Sequence, residues 1–99
     1  MTLRLELLPL ARQDLAGIWD FSARRWSASQ ADRYLAEIRQ ALGTLCEMPQ
    51  IARERTELQP PVRLYPVRSH LIAFLLQGER LIVVRVLHAR ADWLALLSP

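Results

Sequence analysis

The sequence predicts an α+β fold with the order β-α-α-β-β-β(-α), an antiparallel sheet packed against a helical hairpin. Three observations carry it. Two apolar stripes of helical spacing, over residues 10–26 and 28–47, are separated by almost nothing. Two aliphatic runs, Leu71–Leu76 and Leu81–Leu87, flank a Gln77-Gly78-Glu79 turn. A short alternating segment precedes the first helix. Helices grouped together and strands grouped together are the pattern of an α+β chain.

In the first element, Leu3, Leu5 and Leu7 alternate with Arg4 and Glu6, a period of two that predicts a strand over residues 3–8 with one solvated face. Pro9 ends the strand and suits the first turn of a helix. From Leu10 to Trp26, the residues Ala11, Leu15, Ile18, Trp19, Ser22 and Trp26 fall at steps of three and four and make one face. Ser27-Ala28-Ser29-Gln30 matches a capping box, with Ser27 as N-cap and Gln30 reaching back. The second helix, about residues 28–47, carries the stripe Ala31, Tyr34, Leu35, Ile38, Leu42 and Leu45, and Pro49 stops it. So short a break forces the two helices antiparallel.

Residues 50–61 are polar and read as a loop, with or without a short turn of helix, ending at Pro60-Pro61. Arg63 to Val67 is a short strand, and Pro66 assigns it to an edge or a bulge. Ser69-His70 reads as a turn. Leu71–Leu76 and Leu81–Leu87 form a hairpin through Gly78. Residues 89–97 can form a last helix, with Trp93, Leu96 and Leu97 folding back on the core. Both strands of the hairpin are apolar on both faces, and a two-helix hairpin covers one. The final helix, self-association or a partner segment must cover the other.

Ninety-nine residues make one domain, 1–99. The single cysteine, Cys46, rules out an internal disulfide and suits a reducing cytoplasm. The N-terminal stretch carries Arg4 and Glu6 and does not read as a signal peptide, and no apolar run approaches the ~20 residues of a membrane span. All 13 basic residues are arginine. Residues 1–50 hold six arginines and six acids, and residues 51–99 hold seven and four, so the net +3 belongs to the C-terminal half. It is either a solvated basic surface or a surface for an acidic partner.

The element order, the D-L-x-x-I-W of Asp14 to Trp19, the A-D-R-Y of Ala31 to Tyr34 and the closing R-V-L-H-A-R-A-D of Arg85 to Asp92 together resemble ParE-type toxins of the ParE/RelE toxin–antitoxin superfamily. The likeness spans nearly the whole chain, and its ending is the most specific part. Leu8-Pro9 stands where the family usually has a Ser or Thr cap, and Ala91 where it often has Met. The resemblance implies a RelE/ParE-like fold and the toxin of a type II toxin–antitoxin module. Such a toxin inhibits DNA gyrase by protein contact, without catalysis or cofactor. It is neutralised by a ParD-like, ribbon-helix-helix antitoxin, through which alone it meets operator DNA. The alternatives are a ribosome-dependent mRNA endoribonuclease of RelE type and an inactive superfamily member.

A ribonuclease needs a base, an acid and cations around the phosphorane, roles that His88, Arg85, Arg68, Arg63 and Arg90 nominally fill. Regular alternation would set Arg85 with Leu81, Val83 and Leu87, and His88 on the other face with Ile82, Val84 and Val86. No lysine is present and no tyrosine follows Tyr65, whereas RelE-like sites commonly use such residues. A buried unpaired Arg85 would be costly, so it should meet a carboxylate, Asp92 or another at the strand end. Asp14 and Asp20 read as a solvated helix face. His70 lacks a second ligand and makes no metal site. The expected target-binding surface is therefore Arg63, Arg68, Arg85, His88, Arg90 and Trp93. The expected antitoxin-binding set is Trp19, Tyr34, Leu35 and Phe74. Trp19 and Tyr34 could equally be core residues.

Overall fold

The computed structural model describes residues 2–98. They form β1 (Arg4–Leu7), α1 (Pro9–Arg25), α2 (Ala28–Glu47), a 3-10 turn (Pro49–Ile51), β2 (Arg53–Arg55), β3 (Val62–Val67), β4 (His70–Gln77), β5 (Arg80–His88) and α3 (Trp93–Leu97). The strands make one sheet in the order β1-β5-β4-β3-β2. β2 to β5 pair antiparallel, whereas β1 lies parallel to β5, from Arg4 opposite Arg80 to Leu7 opposite Val83. β2 corrects the expected 50–61 loop. Three polar residues suffice there because pairing with β3, not burial, holds them. Pro66 lies past the end of β2, which reaches only from Val62 to Leu64, so its missing N–H costs no ladder bond on that side.

Pro9 starts α1 behind an extended Leu8 that makes no side-chain cap. Ala11, Ile18 and Ser22 are buried, and Leu15 packs on the core. Trp26, expected on this face, is 61% exposed, because it follows the helix at the bend and no longer faces the sheet. Ser27 caps α2, its Oγ accepting from the Gln30 backbone N–H at 3.0 Å. The return bond expected from the Gln30 side chain is not made among the described residues. Ser27→Ala should cost about 1 kcal/mol of folding stability, read as a lower urea midpoint, while Ser29→Ala should leave it unchanged.

The helix side of the sheet holds the main core. Ile38, Leu42, Leu45, Ile72, Phe74, Leu81 and Val83 pack there with Val86. Alternation would put Val86 on the face opposite Val83. It does not, because the β4–β5 register slips between Ala73 and Phe74: Ala73 faces Arg85, and Phe74 faces Val83. The extra residue in β5 restores Val86 to the helix side and corrects the expected phase of the strand end. The opposite face carries a second cluster of Leu58, Val62, Leu64 and Ala73, covered by Trp93 and Leu97. The chain thus covers much of its own surplus, with α3 and the segment bearing Leu58. Leu96, expected inward, is 50% exposed. The last helix also begins later than expected. Asp92 caps it, and residues 89–91 are spent on the turn out of β5.

Candidate functional site

Val67 pairs with His70, so the β3–β4 connection is only Arg68-Ser69. Arg68 sits at a φ of 52°, the left-handed region where glycine is usual. The Arg68 side chain turns back to α2, donating from Nε to Glu37 Oε2 at 2.6 Å and from Nη2 to Oε1 at 3.0 Å. Both groups are exposed, so the pair orients more than it stabilises. The Arg68 hydrogen bonds hold the Glu37 carboxyl below its usual range.

His70 is not in the turn, as expected, but opens β4. The Tyr34 hydroxyl donates to Val67 O at 3.1 Å and lies 2.6 Å from His70 Nδ1. Its one proton is used on Val67, so His70 Nδ1–H donates to Tyr34. His70 also faces its register partner His88 edge-on, with ring centres 5.3 Å apart. His88 is exposed, and its Nδ1 accepts from the Arg90 N–H at 3.1 Å. Burial pushes the His70 imidazole below the ordinary histidine value, His88 adds to this, and Asp14 opposes it. The unfolded chain therefore binds a proton that the folded chain resists, and stability rises with pH. Stability should be fully present above about 6.5 and fall as pH drops below it. Urea midpoints between pH 5.5 and 7.5 should show this slope for the parent chain and a flatter one for His70→Gln.

This row lines one wall of a groove of about 620 Å³ between the α1–α2 bend and the β3–β4 turn. Phe21 and Trp26, 59% and 61% exposed, stand edge to face within its lining, with ring centres 6.4 Å apart. Arg33, Arg68 and Glu37 are the arginine and carboxylate side chains of the lining.

The residues expected to form one target surface are divided. Arg68 and His88 reach the groove, whereas Arg90 is outside its lining and only its backbone N–H bonds His88. Arg63 reaches back to the Ala52 carbonyl at 2.8 Å. Trp93 lies on the opposite face of the sheet, under the Arg55 guanidinium. Arg85 does meet a carboxylate, but that of Asp14. Its Nε and Nη2 donate to Oδ2 and Oδ1 at 2.8 and 2.9 Å, and the Val86 N–H donates to Oδ2 at 2.9 Å. β1 ends opposite Val83, so this carboxylate takes the place of a strand neighbour on the open edge of β5. The solvated reading of Asp14 is thereby corrected.

Of the expected antitoxin set, Phe74 is fully buried and offers no surface. It faces the helices from the central β4, where both neighbouring strands and α1–α2 enclose it. Trp19 is half-buried, its indole N–H donating to Asp32 Oδ1 at 2.9 Å, and Leu35 packs on the core margin. Tyr34 alone of the four lines the groove. Phe21 was not anticipated. Its signal was present, an aromatic residue off the apolar stripe of α1.

A family profile described as the ParE toxin of the type II toxin–antitoxin system parDE matches residues 5–93. Toxin ParE1 of Mycobacterium tuberculosis is 39% identical over 93 residues, covering 93% of this chain and 95% of the relative. Toxin ParE of Escherichia coli is 33% identical over 89 residues, covering 89% and 86%. A chain in the structure of the chromosomal ParDE system from P. aeruginosa superposes with a TM-score of 0.78 at 18% identity, covering 90% of this chain and 98% of that one, and shares the fold.

Proposed function

The chain belongs to the ParE toxin family of type II toxin–antitoxin systems, and from that premise we propose that it inhibits DNA gyrase by protein contact and is neutralised by a cognate ParD-like antitoxin. Residues 1–99 act as a single toxin domain, working in the cytoplasm where gyrase is found. The antitoxin is of ribbon-helix-helix type, and operator DNA is reached only through it.

The observation that supports contact over catalysis is the employment of the cations. Arg85 is held by Asp14, Arg68 by Glu37 and Arg63 by the Ala52 carbonyl. Three of the groups a phosphodiester cleavage would draw on are thus engaged within the chain. A ribonuclease reading retains one specific observation in its favour, the Tyr34–His70–His88 row in the groove with one imidazole held neutral.

The two readings separate in a single preparation assayed for gyrase supercoiling and for ribosome-dependent mRNA cleavage. Supercoiling should be inhibited while mRNA stays intact, and added antitoxin should restore it. Cleaved mRNA with unimpaired supercoiling would replace this reading by the ribonuclease one.

A further inference from the structure

We propose that the groove between the α1–α2 bend and the β3–β4 turn docks an acidic peptide segment that carries a bulky apolar side chain beside its carboxylate. The site is defined by its own chemistry, whichever protein supplies the segment, and it stands apart from the gyrase assignment.

The apolar half of the site is Phe21 and Trp26. Neither belongs to a core cluster, and both are more than half exposed. Their edge-to-face contact fixes each ring by the other, so an incoming side chain meets a formed aromatic notch. Exposed aromatics of this kind are the usual anchors of protein contacts.

The ionic half is Arg33, with Arg68 and His88 across the groove. Arg33 is exposed and makes no ion pair or side-chain hydrogen bond among the described residues. Glu37 is the one carboxylate of the lining, and Arg68 already holds it at both oxygens. The lining therefore has a positive excess with one guanidinium unemployed, the complement of a single carboxylate.

The same details disfavour a nucleic-acid strand. Glu37 would oppose a run of phosphates along the groove. Two rings locked edge to face present no pair of parallel faces for successive bases. A peptide brings one charge and one apolar group, and a volume of about 620 Å³ is of the size that takes a few side chains.

The test pans a phage-displayed random peptide library on the full chain and measures selected peptides by fluorescence anisotropy. Enriched sequences should pair Asp or Glu with Leu, Ile, Phe or Trp. Arg33→Glu and Phe21→Ser should each weaken binding by about tenfold or more. Both positions are exposed, so the fold should survive, as melting curves would verify. Arg12→Glu, an exposed change outside the groove, should leave binding unaltered. Peptides without acidic enrichment, or binding indifferent to both groove substitutions, would overturn the proposal. So would a labelled oligouridine that binds in their place and is lost on the same substitutions. Failure here with gyrase inhibition intact leaves the preceding reading standing, and selection succeeding with gyrase unaffected does the reverse.

Discussion

Replacing Phe74 with alanine is expected to cost about 3–5 kcal/mol of folding stability, against a total of about 5–15 kcal/mol for a domain of this kind. The side chain is 0% exposed on the central β4, beside the register slip, and touches the core shared by both long helices. Truncation there leaves a cavity that cannot be filled by sliding a helix, because α1 and α2 are tied to each other and to the sheet at both ends. Urea unfolding should show the midpoint falling steeply for Phe74→Ala and far less for Phe74→Leu, which keeps most of the volume. A residue that merely contacts a partner would behave oppositely, weakening the complex while leaving the midpoint in place. That outcome would return Phe74 to the binding surface.

Asp14→Ala should cost about 2–3 kcal/mol. Breaking a fully buried pair costs about 3–5 kcal/mol, and the lower figure reflects side chains still 15% and 21% accessible to water. Two losses combine. Arg85 loses the carboxylate that balances it, and the Val86 N–H loses its acceptor at an edge where β1 has already ended. Asp14→Asn keeps an acceptor and should fall between. A cycle with Arg85→Met should give a coupling of at least about 1 kcal/mol. Additive effects would mean that the carboxylate serves Val86 alone.

Elements dominated by one periodicity were legible in the sequence. The α2 stripe, the Ser27 cap, the Gly78 hairpin and the Leu8-Pro9 entry all recur as read, since each depends on neighbours in the chain. What failed depends on partners far away. β2 has no pattern of its own and exists by pairing with β3. The phase of β5 after Val83 depends on one inserted residue that alternation cannot announce. Asp14 looked solvated because its partner lies 71 positions away, and His70 looked like turn because a two-residue loop was shorter than assumed. The site suffered in the same way. The basic strand ends were found, but their division between groove, core margin and opposite face is set by topology. Phe21, which lines the groove, lies off the apolar stripe of α1, so helical periodicity alone does not select it.

The parallel pairing of the first strand with the last has a consequence in time. Arg4 finds Arg80, and Asp14 finds Arg85, only after all the intervening residues exist. Contacts of such long sequence separation pay their loop-closure cost late and form slowly. A growing chain can shape its helical hairpin early, but the helices have no sheet to rest on until β4 and β5 have emerged. Half-made copies therefore lack the frame that positions the groove and the strand ends. The sheet that frames the groove therefore closes all at once, when β5 emerges, and not element by element.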